Sequence, residues 1–316
     1  MTEPEAVSSA RLRHVLSAGQ FSPAAISDLF ATAVEMETSM TGPARFDLMG
    51  QVMATLFYEP STRTRLSFES AMLRLGGQVI STENARDFSS AIKGETLEDT
   101  VRIVSGYADC IVLRHPEEGA ASRASAVADV PVINAGDGKG EHPTQALLDL
   151  YTIAREIGRL DRLHVVLVGD LANGRTVHSL AQLLASYPGQ RLTLVAPERL
   201  RMGREMVDRL RHLGAVVQER DDLTAAVADA DVVYQTRIQL ERMAEPLPQA
   251  DQDRQRFRIG LDVMAGLPAD AVLMHPLPRV GEIDPAVDSD PRAAYFRQAR
   301  NGVPVRMALL AAVLAR

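Results

Sequence analysis

Three hydroxyls surround a guanidinium in the segment FYEPSTRTRLSFE, where Ser61, Thr62 and Thr64 flank Arg63 and a second arginine, Arg65, follows. The segment reads as a strand end, a turn at Pro60 and a helix whose N-cap is Ser61 or Thr62, so both arginines fall in the first helical turn. Cations there oppose the positive end of the helix dipole, at a local cost of a few tenths to about 1 kcal/mol each, and a bound oxyanion reverses that sign. Free backbone N–H groups, hydroxyls and a guanidinium together make the donor set of a phosphate site. A capped helix with solvated arginines would explain either arginine alone; the concentration of donors favours the anion site.

Other candidate groups stand at expected strand ends and helix starts. In SSAIKGETLEDT, Ser89 and Lys93 lie on a loop ahead of a helix whose early turns carry Glu95, Glu98 and Asp99, and Lys93 by itself reads as a surface lysine. Arg114 and His115 follow the apolar run CIVL, and the carboxyl end of a parallel strand is where open sheets bind ligands. His142 immediately precedes Pro143, which suits a first helical position, so the imidazole should lie at a helix N-terminus that favours its neutral form. A neutral imidazole can donate to a carbonyl oxygen that is becoming an oxyanion, with Gln145 one turn on to orient the same small group. Taken singly, His142 serves equally well as a polar helix cap.

In the second half, VVLVGDLANGRT resembles a strand, a phosphate-binding loop and a helix, with Gly169 and Gly174 spaced as in a P-loop. Arg175 stands where the P-loop lysine belongs, and no second strand end offers a carboxylate for magnesium, so nucleotide binding is the weaker reading. Arg175 at a helix start suggests instead a bound anion such as a carboxylate. YQTRIQ brings Arg237 and Gln239 to a further strand end, and HPLPR, from His275, makes a proline-stiffened turn whose Pro276 and Leu277 carbonyls can accept hydrogen bonds from an amine or ammonium. An anion site in the first half and two arginines in the second suit a phosphorylated donor meeting a dicarboxylate acceptor. Asp, Glu, His and Cys are not spaced as a metal site and no GxGxxG follows the first strand, so neither a metal nor any other cofactor is expected.

These groups need a frame that places them. Apolar, β-branched runs (QVMATLFY, QVIST, CIVLRH and VPVIN, then LHVVLVGD, RLTLVAP, AVVQ, DVVYQTR and AVLMHPL) alternate with amphipathic segments such as RTRLSFESAMLRLGG and RTVHSLAQLLASY. That alternation predicts an α/β fold of two domains, each a parallel β-sheet flanked by helices. At 316 residues the chain exceeds what one core usually serves. The helix starting near Pro143 is expected to link the sheets, giving a first domain of residues 1–141 and a second of 142–294. A C-terminal helix over about 295–316 is expected to pack back on the first domain.

An apolar content of 46% with 24% charged residues excludes wholesale disorder. With 34 Lys plus Arg against 41 Asp plus Glu, the mild acidity speaks against a nucleic-acid or anionic membrane surface. Neither a basic-then-apolar leader nor a run of about 18 apolar residues is seen, so a cytoplasmic enzyme is the expectation. The single cysteine, Cys110, falls in CIVLRH and reads as buried and structural.

In this order, STRTR, KGE, RHP, HPTQ, GRT, TRIQ and HPLPR resemble the aspartate and ornithine transcarbamylase family, from about Gln51 to the C-terminus. HPLPR is similar to the aspartate branch; in the ornithine branch that turn characteristically contains a cysteine. The resemblance implies transfer of the carbamoyl group of carbamoyl phosphate to L-aspartate, an early step of de novo pyrimidine biosynthesis, with ornithine or another amine as the alternative acceptor. It implies that Ser61, Thr62, Arg63 and Thr64 hold the phosphate and that Thr64, Arg114 and His142 polarise the carbamoyl carbonyl. Gln145 and the carbonyls of Pro276 and Leu277 would hold the amide nitrogen. Arg175, Arg237 and Gln239 would position aspartate, with Lys93 also at the acceptor carboxylate. By the same resemblance Ser89 and Lys93 reach a neighbouring subunit's site, which implies a homotrimer with shared active sites. Glu59 and Arg237 would make contacts that form on domain closure, and Arg306 would support the site. Further assembly with regulatory chains or with dihydroorotase is left open.

Overall fold

Strands form where the sequence concentrates Val, Ile and Leu, and the computed structural model, which describes residues 12–83, 94–237 and 255–314, arranges them in two parallel sheets. β1 (Val52–Phe57), β2 (Gln78–Glu83), β3 (Cys110–His115) and β4 (Val132–Asp137) make the first, in the order β2-β1-β3-β4. β5 (His164–Val168), β6 (Arg191–Val195), β7 (Val216–Arg220), β8 (Val232–Gln235) and β9 (Val272–Met274) make the second, in the order β7-β6-β5-β8-β9. Each strand falls on a run expected to form one, and the α/β class is as the sequence predicts. The helices are α1 (Pro23–Ser39), α2 (Thr62–Arg74), α3 (Leu97–Ser105), α4 (Ala120–Val127), α5 (Pro143–Ile157), α6 (Arg175–Ala185), α7 (Arg204–His212), α8 (Leu223–Val227), α9 (Leu261–Gly266) and α10 (Tyr295–Leu314).

Contacts divide the chain into two units, Met1–Leu148 with Asn301–Arg316, and Asp149–Arg300. The sequence places these boundaries at 141/142 and near 295; in the structure both crossings fall later, inside α5 and inside α10. Each helix runs on through its crossing, α10 even past Pro304, so the helical periodicity continues on both sides and could not locate the boundary.

In the first unit β3 is an inner strand, and its Cys110, Ile111, Val112 and Leu113 are all buried, as a parallel strand covered on both faces requires. Ala54, Leu56, Ile111 and Leu113 pack with Leu97 and Val101 of α3 and Ala120 and Ala124 of α4. Each large apolar side chain there contributes roughly 1.5–3 kcal/mol by leaving water. Burial pushes the Cys110 thiol well up, so this cysteine behaves as a core residue. The C-terminal part of α10 belongs to the same unit: Gln51 Nε2 donates to the Leu314 carbonyl at 3.3 Å, and the Arg306 guanidinium lies 5.0 Å from the centre of the Phe68 ring on α2.

In the second unit β5 is the central strand and is buried along its whole length. Val166, Val168 and Val233 pack with Leu223 and Val227 of α8, Val263 and Met264 of α9, and Tyr295.

Both sheets reverse their direction of growth. The first runs from β1 out to β2 and returns to β3 on the other side of β1; the second runs through β5, β6 and β7 and returns to β8 beside β5. At such a reversal the connections leave toward opposite faces of the sheet, and a crevice opens beyond the carboxyl ends of the two flanking strands. Those strands are β1 and β3 in one unit and β5 and β8 in the other.

Candidate active site

The first crevice is bounded by the residues that follow β1 and by the last residues of β3. Ser61, Thr62, Arg63 and Thr64 leave β1 as the start of α2, and Arg114 is the register partner of Phe57. Tyr58 N–H donates to the Arg114 carbonyl at 2.9 Å. The Arg114 guanidinium donates to the Glu59 carboxylate at 2.8 Å and to the Ala135 carbonyl at 3.2 Å, so it is fixed across the ends of β1, β3 and β4.

Ser61 is the N-cap of α2, yet its hydroxyl makes no capping bond. Ser22 before α1 and Thr96 before α3 do cap, accepting from the Ala25 and Asp99 N–H groups at 3.2 and 3.1 Å. The first turn of α2 also lacks an acidic residue, whereas that of α3 carries Glu98 and Asp99. The positive end of α2 is thus left for an external anion.

The structure separates the two arginines that the sequence could not. Arg65 donates to Glu69 at 3.1 Å and to Glu83 at 2.9 Å, and Glu69 also accepts from the Thr55 and Ser81 hydroxyls. Arg63 has no carboxylate within ion-pair distance among the described residues, and desolvation lowers its pKa with no acid to offset it. Of the pair, Arg65 is the one held by carboxylates, and Arg63 is the cation that the described residues leave without one.

His142 is buried immediately before α5. Asp137, at the end of β4, shapes the loop that puts it there. One Asp137 oxygen accepts from Asn134 Nδ2 at 3.1 Å and from the Glu141 N–H at 3.0 Å, and the other accepts from the Gly119 N–H at 3.0 Å. The loop reverses at Gly138, whose φ is +50° and where a Cβ would lie 2.6 Å from the Glu118 nitrogen. The His142 carbonyl then accepts from the Gln145 and Ala146 N–H groups at 3.0 and 3.1 Å, starting the helix that carries Gln145. Sequence reading missed Asp137; the signal for it was the GDG triplet, which marks a sharp turn.

His115 has a different task. Its Nδ1 accepts from the Glu117 N–H at 3.1 Å, its ring packs 4.9 Å from that of Tyr58, and desolvation holds its pKa below the ordinary value. It is a buried neutral imidazole that secures a turn.

In the second unit β5 and β8 pair directly, with Val168 opposite Gln235. Arg175 opens α6, after the loop that follows β5, and Arg237 lies two residues past the end of β8, so both stand just beyond the carboxyl ends of the strands that flank this reversal. Arg175 is buried, and the first turn of α6 has no acidic residue. The loop between is closed on itself and on β8. At Gly169 (φ +113°) a Cβ would lie 2.4 Å from the Thr236 carbonyl oxygen, and at Gly174 one would lie 2.6 Å from that of Asp170. Asp170 N–H donates to Thr236 Oγ1 at 3.1 Å, and the Asp170 carboxylate accepts from the Asn173 N–H at 3.0 Å. The glycines therefore serve close packing, and an open phosphate-cradling loop is not what this segment forms.

HPLPR follows β9 at the same end of the sheet. Leu277 has φ +53° and a cis bond to Pro278. Its N–H donates to His275 Nδ1 at 2.8 Å. Three expected site residues, Ser89, Lys93 and Gln239, lie outside the described residues.

Residues 13–155 match the aspartate/ornithine carbamoyltransferase carbamoyl-P binding domain, and residues 161–313 match the aspartate/ornithine carbamoyltransferase Asp/Orn binding domain. The chain belongs to the aspartate/ornithine carbamoyltransferase family. It is 55% identical over 312 residues to the chloroplastic aspartate carbamoyltransferase of Oryza sativa subsp. japonica, covering 97% of this chain and 86% of that one. It is 49% identical over 302 residues to the aspartate carbamoyltransferase catalytic subunit of Methanothrix thermoacetophila, covering 96% and 98%. Its fold is similar to that of the aspartate transcarbamoylase of Trypanosoma cruzi solved in complex with N-(phosphonacetyl)-L-aspartic acid, with a TM-score of 0.92 at 42% identity over 98% of each chain. As a carbamoyltransferase, the chain has a use for each arrangement at its two crevices.

Proposed function

We propose that this chain transfers the carbamoyl group of carbamoyl phosphate to L-aspartate, giving N-carbamoyl-L-aspartate and phosphate, early in de novo pyrimidine biosynthesis. The observation that carries this is the division of charge between the two strand-order reversals. The Ser61 hydroxyl, which caps nothing, and Arg63 stand at the first, and Arg175 and Arg237 at the second. A phosphate fits the first set and a dicarboxylate the second, whereas ornithine offers only one carboxylate to two arginines. The Trypanosoma cruzi relative has been solved in complex with carbamoyl phosphate and aspartate.

On this proposal Ser61, Thr62, Arg63 and Thr64 bind the phosphate, with Ser89 contributed by a neighbouring subunit. Thr64, Arg114 and His142 donate to the carbamoyl oxygen, and Gln145 with the Pro276 and Leu277 carbonyls holds the amide. Lys93, Arg175, Arg237 and Gln239 bind aspartate. The lone pair of the aspartate amine attacks the carbamoyl carbon, and the carbonyl electrons move onto oxygen. Collapse of that oxyanion breaks the bond to the phosphate oxygen, and the departing phosphate takes the amine proton. No enzyme nucleophile takes part; alignment and donors preset for the oxyanion supply the acceleration.

The proposed enzyme is a homotrimer with shared sites. In support, β2 is an edge strand with Ile80 exposed, and α2 with the segment before β1 exposes Leu66, Leu73, Phe46 and Met49. Large apolar groups along a sheet edge are what an interface covers. In sequence, β2 leads directly to Ser89 and Lys93. Among the described residues no helix is long and apolar enough to cross a membrane. A cytoplasmic setting is part of the proposal, on the footing of a fold built without disulfides.

The test is phosphate release from carbamoyl phosphate by the purified chain, with L-aspartate and L-ornithine as parallel acceptors and the product identified. Turnover with aspartate alone is expected. Turnover with ornithine alone would overturn the acceptor assignment.

A further inference from the structure

A buried acid and imidazole behind the HPLPR turn have no part in the chemistry above. His275 is 1% exposed and Glu282 is 6% exposed. Because the Leu277 N–H donates to His275 Nδ1, that nitrogen carries no proton, and the ring proton sits on Nε2, 2.7 Å from Glu282 Oε1. The other Glu282 oxygen accepts from the Val280 N–H at 2.8 Å. One carboxylate therefore receives two donors, and the tautomer it fixes leaves the opposite ring nitrogen as an acceptor for Leu277. Leu277 needs such an anchor, since its φ of +53° is a conformation that side chains larger than glycine disfavour. The strand end is held too: the His275 N–H donates to Gln298 at 2.9 Å, and Gln298 donates to Asp149 at 2.6 Å. Although desolvation alone would raise it, the Glu282 carboxyl is held below the usual range by the hydrogen bonds from His275 and from the Val280 N–H.

We propose that His275 and Glu282 are positioning residues, which fix the backbone of Pro276 and Leu277 so that their carbonyls accept from the amide of carbamoyl phosphate. This rests on the proposed function and gives the enzyme a means to distinguish carbamoyl phosphate from inorganic phosphate, which has no amide. His275 acts through its Nδ1 acceptor, and Glu282 acts by holding His275 in the tautomer that offers it.

Isosteric replacements separate this from general support of the fold. In His275→Asn the side-chain oxygen can take the place of Nδ1 and still accept from the Leu277 N–H. In His275→Gln the amide nitrogen can take the place of Nε2 and still reach Glu282, but nothing accepts from Leu277. Glu282→Gln presents one acceptor to two donors, so the tautomer is no longer fixed. The experiment measures kcat, KM for carbamoyl phosphate and inhibition by inorganic phosphate for the full chain and these variants. His275→Asn is expected to keep KM for carbamoyl phosphate within about threefold, while His275→Gln and Glu282→Gln raise it on the order of tenfold or more, the effect of a lost hydrogen bond. Phosphate inhibition should stay within about twofold in all three, because the phosphate ligands are untouched. Glu282→Gln added to His275→Asn should raise KM no further, and this comparison serves if His275→Gln does not fold. Equal effects of Asn and Gln at position 275, or parallel weakening of carbamoyl phosphate and phosphate, would overturn the inference while the unmodified chain still turns over. Absence of turnover by the unmodified chain would overturn the proposed function and this inference with it.

Discussion

Asp137 and Glu141 bond to one another twice: the Asp137 carboxylate accepts from the Glu141 N–H at 3.0 Å, and the Glu141 carbonyl accepts from the Asp137 N–H at 3.2 Å. This pair of hydrogen bonds closes the loop whose next residue is His142. Asp137→Ala would leave the Gly119 and Glu141 N–H groups and the Asn134 amide without this acceptor. A loss of about 1–3 kcal/mol in stability is expected, with a fall in kcat as His142 loses its support. Thermal unfolding and steady-state kinetics check both, and unchanged kcat would show that the loop does not govern His142.

His142→Ala is expected to lower kcat on the order of a hundredfold, as removal of an oxyanion donor typically does. KM for aspartate should change little. A folded variant with normal kcat would remove His142 from the mechanism.

Arg63 and Arg65 are expected to fail in opposite ways. Arg63→Ala deletes a charged phosphate ligand, so phosphate inhibition and carbamoyl phosphate binding should weaken roughly ten- to a hundredfold. Stability should hold or rise slightly, because a cation leaves the positive end of α2. Arg65→Ala breaks the pairs to Glu69 and Glu83 and should lower the unfolding midpoint with a smaller effect on phosphate. Inhibition assays beside thermal melts separate the two, and a reversed pattern would sink the assignment.

Replacing Arg175 or Arg237 by Ala is expected to raise KM for aspartate by on the order of tenfold or more, since each removes a charge-assisted contact to a carboxylate. Phosphate inhibition should be unaltered. Loss of phosphate binding in either variant would place the arginine on the wrong substrate.

Stability should also depend on pH below neutrality. Desolvation holds His115 and His164 below the ordinary imidazole value of about 6.5, so the unfolded chain takes up protons at a pH where the folded chain does not. Stability from this source is complete above about 6.5 and is lost as pH falls through the folded values. The unfolding midpoint should therefore drop between about pH 7 and pH 5. His115→Asn, which can still accept from the Glu117 N–H, should flatten that slope. An unchanged slope would show that His115 does not contribute.

By itself the sequence determined the strands, their parallel class and the helix start that carries the hydroxyl and guanidinium cluster, because these rest on local periodicity and on residue types set close together. All nine apolar runs became strands, and Ser61 to Thr64 do open α2. What it could not decide was which like residue does what. Arg63 and Arg65 are equivalent in any local pattern; they differ because Glu83 of β2 meets one and not the other. His115 and His142 both looked available, yet only the structure shows His115 bonded to its own turn and packed on Tyr58. Glu282 gave no signal at all, since its partner is chosen by the path of the chain around Leu277. Hydrogen bonds and ion pairs across the fold depend on which strand ends the topology brings together, and strand order is a property of the whole sheet that no window of sequence contains.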